Sequence, residues 1–451
     1  MATLERSYRR AGIAAYVLII VLFVATYLQG YIYSAGQLLD LYNLSIVAGV
    51  TAYVIFLSQF LLSARIRWIE RLFGQDLLLQ AHGFLGMMLA GLVAFHGFVK
   101  FTYLGPNRRA LLGIAAFVIY AVLAPAALLI LQGRAKRRVG SPRYERAKVS
   151  HNLLVVAAIL VVIHVQQASS TYSVLLRSLT LGWAVICLSA YVYHKFIRPR
   201  RLQTVTVGAV EERGQDLVTI KMAPADEEAD GSGRLKNENR RPGQFYYYRF
   251  QSGAIGPEEH PFTVVSAPGE PVQLIARKVG DFTSALAGVQ PGDRVTLDGP
   301  YGRFVPPKST DTPIYLIAGG IGITPMISMI RDADTRSNRP VSLIWSVRDE
   351  SDLAAAREID EFASEINRWI FITGTDGAGR TAGAPQTGTT DARISGRVDA
   401  ERLDEIIPGE RRSRARFYVC GPASFIQSTT ENLKKLGVKK RNIHSERFSW
   451  R

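Results

Sequence analysis

Residues 81–97 read AHGFLGMMLAGLVAFHG, an apolar run of helical length with His82 and His96 near its two ends. Along a helix the spacing of fourteen advances about 21 Å and completes nearly four turns, so the two imidazoles share one face at different heights. A second apolar run, SHNLLVVAAILVVIHVQ at residues 150–166, carries His151 and His164, so four of the seven histidines lie in two hydrophobic segments. Ionisable groups in a membrane span are costly and mark function, and paired histidines suit metal ligation. The spacing of thirteen in the second pair turns one ring about 140° out of line on a regular helix. A bulge, a kink or a differently angled ligand plane is therefore expected there. The plainer alternative is that each histidine hydrogen-bonds a neighbouring helix.

Around these runs the first 200 residues hold six apolar segments long enough to span a bilayer, near 11–30, 43–64, 77–99, 110–132, 149–168 and 174–197. The same 200 residues hold 20 Lys+Arg against 5 Asp+Glu, whereas the remaining 251 are nearly balanced at 34 against 33. A charge surplus confined to the membrane part speaks against nucleic acid as a partner and for a cationic edge on an anionic leaflet. Alternating the ends gathers sixteen basic residues on one side, among them Arg6, Arg9, Arg10, Arg65, Arg67, Arg71 and the loop RAKRRVGSPRYERAK, against Lys100, Arg108, Arg109 and Arg177 on the other. The positive-inside rule then puts both termini and everything after residue 200 in the cytoplasm of an integral plasma- or inner-membrane protein. In this orientation His82 and His151 lie near the inner face and His96 and His164 near the outer. Each pair would clamp one haem iron, giving two stacked haems. The basic N-terminus precedes an apolar run without a small-residue cleavage site, so it reads as a retained anchor. Cys187 and Cys420 make neither a disulfide framework nor a zinc site.

Beyond Arg201 short strands alternate (LQTVTVGAV, LVTIKMAP, QFYYYRF, FTVVSAP, VQLIARKV, DRVTLDGP), a meander that reads as a small antiparallel barrel. From Pro313 strand and helix alternate, which predicts a parallel sheet with a nucleotide site at its C-terminal edge. The expected fold class is thus a six-helix membrane bundle (residues 1–200), an antiparallel β-barrel domain (201–308) and an α/β Rossmann-like domain (309–451). The polar stretch ADEEADGSGRLKNENRR reads as a mobile loop between strands, and GTDGAGRTAGAPQTGTTDAR is low-complexity, with no structure assigned to it. AGGIGITPM, residues 318–326, follows a strand and opens a helix. Gly319, Gly320 and Gly322 would let the backbone approach a pyrophosphate, the alternative being tight packing alone. Arg348 follows the next strand, where a guanidinium suits a 2′-phosphate and hence NADPH, or else is merely solvated.

HPFT at His260–Thr263 is the sharpest motif of this half, and with it the chain resembles the NADPH oxidase and ferric reductase family of transmembrane flavocytochromes b, whose soluble half resembles ferredoxin–NADP reductases. The resemblance runs in order through the four histidines, PGQF (Pro242, Gly243, Gln244, Phe245), HPFT, DGPYG (298–302), AGGIGITP, YVCGP (418–422) and ERF (446–448). It implies FAD, NADPH and two b-type haems as cofactors. PGQF, His260, Pro261, Arg277 and the segment Gly280, Asp281, Phe282, Thr283 would hold FAD, with Phe262 on the flavin and Thr263 at its redox edge. Gly322, Thr324 and Pro325 would hold the NADPH pyrophosphate, with Cys420, Gly421 and Pro422 beside the nicotinamide. Singly, Phe262 also reads as core and Cys420 as a small buried residue. The family ends in an aromatic residue that covers the flavin; here Phe448 matches but Trp450 follows. The family's oxidases also carry an arginine in the second span, absent from 43–64, where Lys100 could supply charge unless it snorkels to the headgroups. The expected activity is electron transfer from cytosolic NADPH through FAD and haem to an outer acceptor. Superoxide production from oxygen ranks first and ferric-chelate reduction next. A non-enzymatic haem-binding transporter or sensor is the reading from another class. The bilayer and a small-molecule acceptor are the partners; no obligatory protein partner is readable.

Overall fold

In a computed structural model the chain divides into two compact units, residues 1–201 and 202–450. The residues described are 2–35, 40–105, 108–131, 149–168, 171, 173–214, 216–224, 240–256, 258–307, 311–336, 340–350, 352–353, 357–360, 366–374 and 391–447.

The first unit is helical: α1 (Ala2–Ala35), α2 (Leu41–Ser63), the short α3 (Arg67–Phe73), α4 (Gln75–Leu104), α5 (Arg108–Leu131), α6 (Leu154–Gln167) and α7 (Val174–Val192). Its centre is α2, buried without interruption from Ala52 to Phe60 and packed against α4 and α7. Polar groups that this burial strands find partners on other helices. Tyr53 OH donates to the Thr180 carbonyl at 2.7 Å, and Trp183 Nε1 to the Val54 carbonyl at 3.2 Å. The outward faces are apolar instead: Phe98 is 70% exposed and Val174 81%. A bundle with polar contacts inside and large hydrophobic side chains outside is compatible with lipid contact. Among the described residues, five helices are long and apolar enough to cross a membrane. The remaining expected span, 110–132, falls on α5, whose apolar described part, Ala110–Pro125, is shorter. The basic loop 134–148 lies outside the described residues.

The second unit holds two six-stranded sheets. The first contains β1 (Gln203–Arg213), β2 (Leu217–Pro224), β3 (Phe245–Gln251), β4 (Glu259–Thr263), β5 (Gln273–Arg277) and β6 (Arg294–Tyr301), with neighbouring strands antiparallel and order β4-β3-β6-β1-β2-β5. The expected strands are there, but the expected closed barrel is not: β4 and β5 remain edges. The ladder from β4 stops at Thr263, beyond which the seam is crossed by bonds from Val265 N–H to the Gln273 carbonyl, 2.9 Å, and from Gln273 N–H to Ser266 Oγ, 3.2 Å. The second sheet comprises β7 (Ile314–Gly319), β8 (Val341–Val347), β9 (Asn367–Ile372), β10 (Asp391–Ser395), β11 (Arg416–Cys420) and β12 (Ile443–Glu446). It is parallel, in order β10-β9-β8-β7-β11-β12. A short helix, α8 (Asp281–Ala285), lies between β5 and β6 and packs on the first sheet's core, whereas the second sheet's helices include α9 (Thr324–Arg336), α10 (Arg357–Asp360), α11 (Ala400–Ile406) and α12 (Ala423–Lys435). The sheets share a core in which Leu217, Val265, Ile275 and Phe304 join Leu316, Met326 and Trp345. The low-complexity stretch 374–393, to which the sequence assigns no structure, ends in an ordered element, since Asp391 to Arg393 begin the edge strand β10.

Candidate functional site

On α4, which is helical throughout, His82 and His96 are carried by one element. The second pair is interrupted where its spacing requires it: Leu153 breaks the helix, and bonds from Leu153 N–H to the Ser150 carbonyl (3.0 Å) and from Val156 N–H to the Leu153 carbonyl (2.9 Å) tighten the backbone there. Three-residue bonding turns the chain faster than α-helix does, supplying rotation between His151 and His164. The rings of His82 and His151 then lie 6.0 Å apart between centroids at 71°, each with Nδ1 buried and without a hydrogen-bond partner. A metal accepting one nitrogen from each of two imidazoles at about 2 Å separates the ring centroids by roughly 6 Å.

His96 and His164 line one cavity of about 820 Å³ with Tyr53, Phe56, Phe101 and Phe117. That volume is in the range of cofactor sites, and its lining is largely apolar and aromatic. The carbonyl of Ser45 can only accept, so His96 Nδ1–H donates to it at 2.7 Å and Nε2 keeps its lone pair. This is how proteins orient a metal-binding imidazole. Two glycines make the room: a Cβ at Gly49 would lie 2.7 Å from His96 Nδ1, and one at Gly113 3.1 Å from His164 Cε1. Buried orphan nitrogens in one pair and an aromatic cavity with a tethered imidazole in the other fit two bis-histidine haems. Lys100 lines the same cavity with Nζ 3.5 Å above the Tyr42 ring, held by a cation–π contact.

In the second unit, four motifs converge around β4. Gly243 has φ 85° and sits against the Phe304 carbonyl, a place open only to glycine. Gln244 then bridges, donating from Nε2 to the Gly302 carbonyl at 3.0 Å and accepting Arg241 N–H at 2.8 Å, while Pro242 leads into the turn. Phe245 pairs with Thr263 and Tyr301, joining PGQF to HPFT and DGPYG. His260 stacks on Phe282 at 3.7 Å between centroids and bonds Glu258 at 2.9 Å, and Phe262 stands parallel to Phe282 at 6.2 Å. Pro261 precedes Phe262 on β4, whose far side is an unpaired sheet edge. A planar group with donors and acceptors on its rim fits such an edge, flanked by aromatic rings, as β-augmentation does for peptides. Thr263 is buried. At Gly280–Thr283 the Thr283 hydroxyl accepts from Val279 N–H (3.0 Å) and Gly280 N–H (3.1 Å), closing the start of α8 beside Asp281. Arg277 is engaged elsewhere: Nη2 donates to Asp352 Oδ1 at 2.5 Å, and Nε lies 3.2 Å from Asp216 Oδ2.

Chain order reverses between β7 and β11, so the crevice between their C-terminal ends is where an α/β sheet takes a nucleotide. Gly320, with φ 54° and open space at its Cβ position, begins a 3-10 turn leading to Thr324 and Pro325 at the start of α9. Gly319 and Gly322 serve packing: a Cβ at Gly319 would lie 2.9 Å from Phe425, and one at Gly322 would collide with the Cys420 carbonyl. Gly421, φ 155°, lies over Gly319, and Pro422 caps α12. Cys420 is fully buried, and its thiol is raised well above its ordinary range by burial and then by Glu446. Arg348 is exposed just past β8. Phe448 and Trp450 lie outside the described residues. Sequence reading missed Arg240. It is buried and ties Ser266 Oγ (3.2 Å) and the Ala267 carbonyl (2.6 Å) behind HPFT, and only its place before PGQF hinted at this.

Residues 316–431 match the oxidoreductase NAD-binding domain family. The flavohemoprotein of Bordetella pertussis is 27% identical over 247 residues, 52% of this chain and 57% of that protein. The propane 2-monooxygenase reductase component of Mycolicibacterium smegmatis is 25% identical over 254 residues, 54% of this chain and 66% of that protein. A solved FAD/NAD-binding domain of nitric oxide dioxygenase from Vibrio cholerae aligns with 54% of this chain and 98% of its own at 20% identity and TM-score 0.44. The chain spans little more than half the length of the first of these relatives. The glycine turn and the topological switch lie within or beside residues 316–431, so the second unit carries an oxidoreductase NAD-binding domain, and over about 250 residues it is similar to the flavohemoprotein and the reductase component.

Proposed function

We propose that the protein is a six-span transmembrane NADPH oxidase that oxidises cytoplasmic NADPH and reduces oxygen to superoxide on the outer side. When bound, FAD supplies the change from two-electron to one-electron chemistry and the haems supply carriers across the bilayer. One observation carries the reading: histidines from two separate helices meet as two pairs, one at 6.0 Å and one around a shared cavity. The chain's residues have distinct tasks. His82 with His151, and His96 with His164, hold iron. The β4 edge with Phe262 and Phe282 holds the flavin ring. The Gly320 turn takes the nucleotide pyrophosphate, and Cys420 lies buried beneath the crevice as a neutral thiol. The 16 basic residues on one side support cytoplasmic termini and a cytoplasmic dehydrogenase.

A specific observation also favours ferric-chelate reduction: the second span carries no arginine, and the cavity's cation, Lys100, is held over Tyr42. Both readings share the same test. Anaerobic NADPH added to purified, FAD-supplied protein is expected to shift the haem bands to their reduced positions. Oxygen is then expected to restore the oxidised bands rapidly with superoxide trapped, and a ferric chelate to do so slowly. The reverse order selects the reductase. Haem that stays oxidised under NADPH defeats both, and protein that takes up no flavin points to a haem-binding sensor or transporter.

A further inference from the structure

The carboxylate of Asp352 serves both sheets of the dehydrogenase. Its Oδ1 accepts from Arg277 at 2.5 Å, while its Oδ2 accepts the backbone N–H of Arg348 at 3.0 Å and of Asp349 at 3.4 Å. Arg277 ends β5 in the first sheet; Arg348 follows β8 in the second, on the edge where the nucleotide crevice opens. The other side of the Arg348 turn is closed as well, since its carbonyl accepts Gly374 N–H at 2.8 Å. A Cβ at Gly374 would come within 2.6 Å of that carbonyl, so the two loops fit only with glycine there. The backbone of Arg348 is thus fixed at its N–H and its C=O while its side chain stands exposed.

Arg277 is a poor candidate for a free flavin-phosphate ligand in this arrangement. Its guanidinium already meets two carboxylates, Asp216 and Asp352, and is only 27% exposed. A charged carboxylate accepting three donors, one of them a guanidinium, is a strong and directional joint. Ordering a loop before the ligand arrives lowers the entropy lost on binding.

We propose that the Arg277–Asp352 ion pair is a positioning strut that orients Arg348 toward the 2′-phosphate of NADPH, so that specificity for the phosphorylated nucleotide is set from the flavin-side sheet. This rests on the NADPH reading. Arg277 and Asp352 touch neither phosphate nor reacting atoms. They act through the backbone N–H groups of Arg348 and Asp349, and Arg348 makes the phosphate contact.

The full-length protein in detergent, titrated calorimetrically with 2′,5′-ADP and with 5′-ADP, tests this, with FAD content measured alongside. Wild type is expected to bind 2′,5′-ADP the more tightly. Equal affinities would overturn the NADPH reading itself, before any variant is considered. Asp352→Asn is expected to weaken 2′,5′-ADP about tenfold, the scale of one charge-assisted contact, with 5′-ADP and FAD content unchanged. Its KM for NADPH rises at constant kcat, and Asp352→Glu restores part of the discrimination. Arg348→Ala, an exposed position, is expected to erase the discrimination. The strut is overturned if Asp352→Asn weakens both nucleotides alike, loses FAD in step, or leaves 2′,5′-ADP binding untouched, and equally if Arg348→Ala changes nothing. Should Asp352→Asn not fold, Arg277→Lys keeps the charge but loses the fork, and is expected to lower the same discrimination. Unaltered discrimination in that variant overturns the strut too.

Discussion

Gly322 and Gly320 stand two residues apart and would answer differently to the same substitution. A methyl at Gly322 meets the backbone carbonyl of Cys420, which cannot rotate away, whereas one at Gly320 meets nothing within 4 Å but must sit at φ 54°. Gly322→Ala is expected to destabilise by about 1–3 kcal/mol, as overpacking does, and Gly320→Ala by about 1 kcal/mol, the cost of left-handed backbone. Thermal melting of the two variants checks the order, and a larger loss at Gly320 would contradict the packing role. The motif was legible in the sequence but this division of labour was not, because the neighbour that crowds Gly322 is about a hundred residues away. Cys420 gives a pH prediction. Its folded thiol is held neutral by burial and Glu446, while an unfolded thiol ionises near pH 8.5. The group's contribution to stability is therefore present below that pH and is lost as pH rises above it. Native alkylation of Cys420 by iodoacetamide should stay slow and nearly flat from pH 7 to 9, in contrast with urea-unfolded protein. A native rate that climbs with the unfolded one would show the thiol to be accessible.

Helix α6 depends on its irregular start. The four histidines and their spacing were readable from the sequence, and so was the need for a break between His151 and His164. Where the chain would break was not, because Leu153 is an ordinary apolar residue and the tightened turn arises from packing. The same limit explains the barrel: alternation located the strands, but whether β4 and β5 close depends on where β4 ends, and the buried stretch Val264–Ala267 carries no turn signal before Pro268–Gly269. Because α6 runs regularly after Leu153, one alanine inserted between Ala158 and Ile159 rotates His164 by about 100° relative to His151. That variant is expected to lose about half of its bound haem, as only the His96 partner is displaced and the other axial pair remains. Pyridine haemochrome assay against protein concentration measures it. Full retention of haem would show that His164 is not a ligand, and complete loss would show that the two pairs do not bind independently.

Charge and hydrophobicity divide the chain as its contacts do. A surplus of +15 lies in the first 200 residues, and the compact units meet at residues 201 and 202. The two halves also answer opposite solvents. The helical unit turns Phe84, Phe98 and Val185 outward, while the second unit buries its large side chains, Tyr248, Trp345 and Tyr418 among them, in clusters of its own. A unit with its own cores and a nearly neutral surface is expected to fold without its neighbour. Residues 202–450 alone should therefore be soluble and monodisperse, bind FAD on refolding or expression, and reduce a water-soluble dye with NADPH. Haem should be absent, since all four candidate ligands lie before residue 201. Far-UV circular dichroism, flavin absorbance and NADPH oxidation with ferricyanide as acceptor measure these separately. An insoluble or molten fragment would mean that the helical unit completes the dehydrogenase core. A folded, flavin-loaded fragment that cannot oxidise NADPH would instead place part of the nucleotide site on the membrane side of the chain.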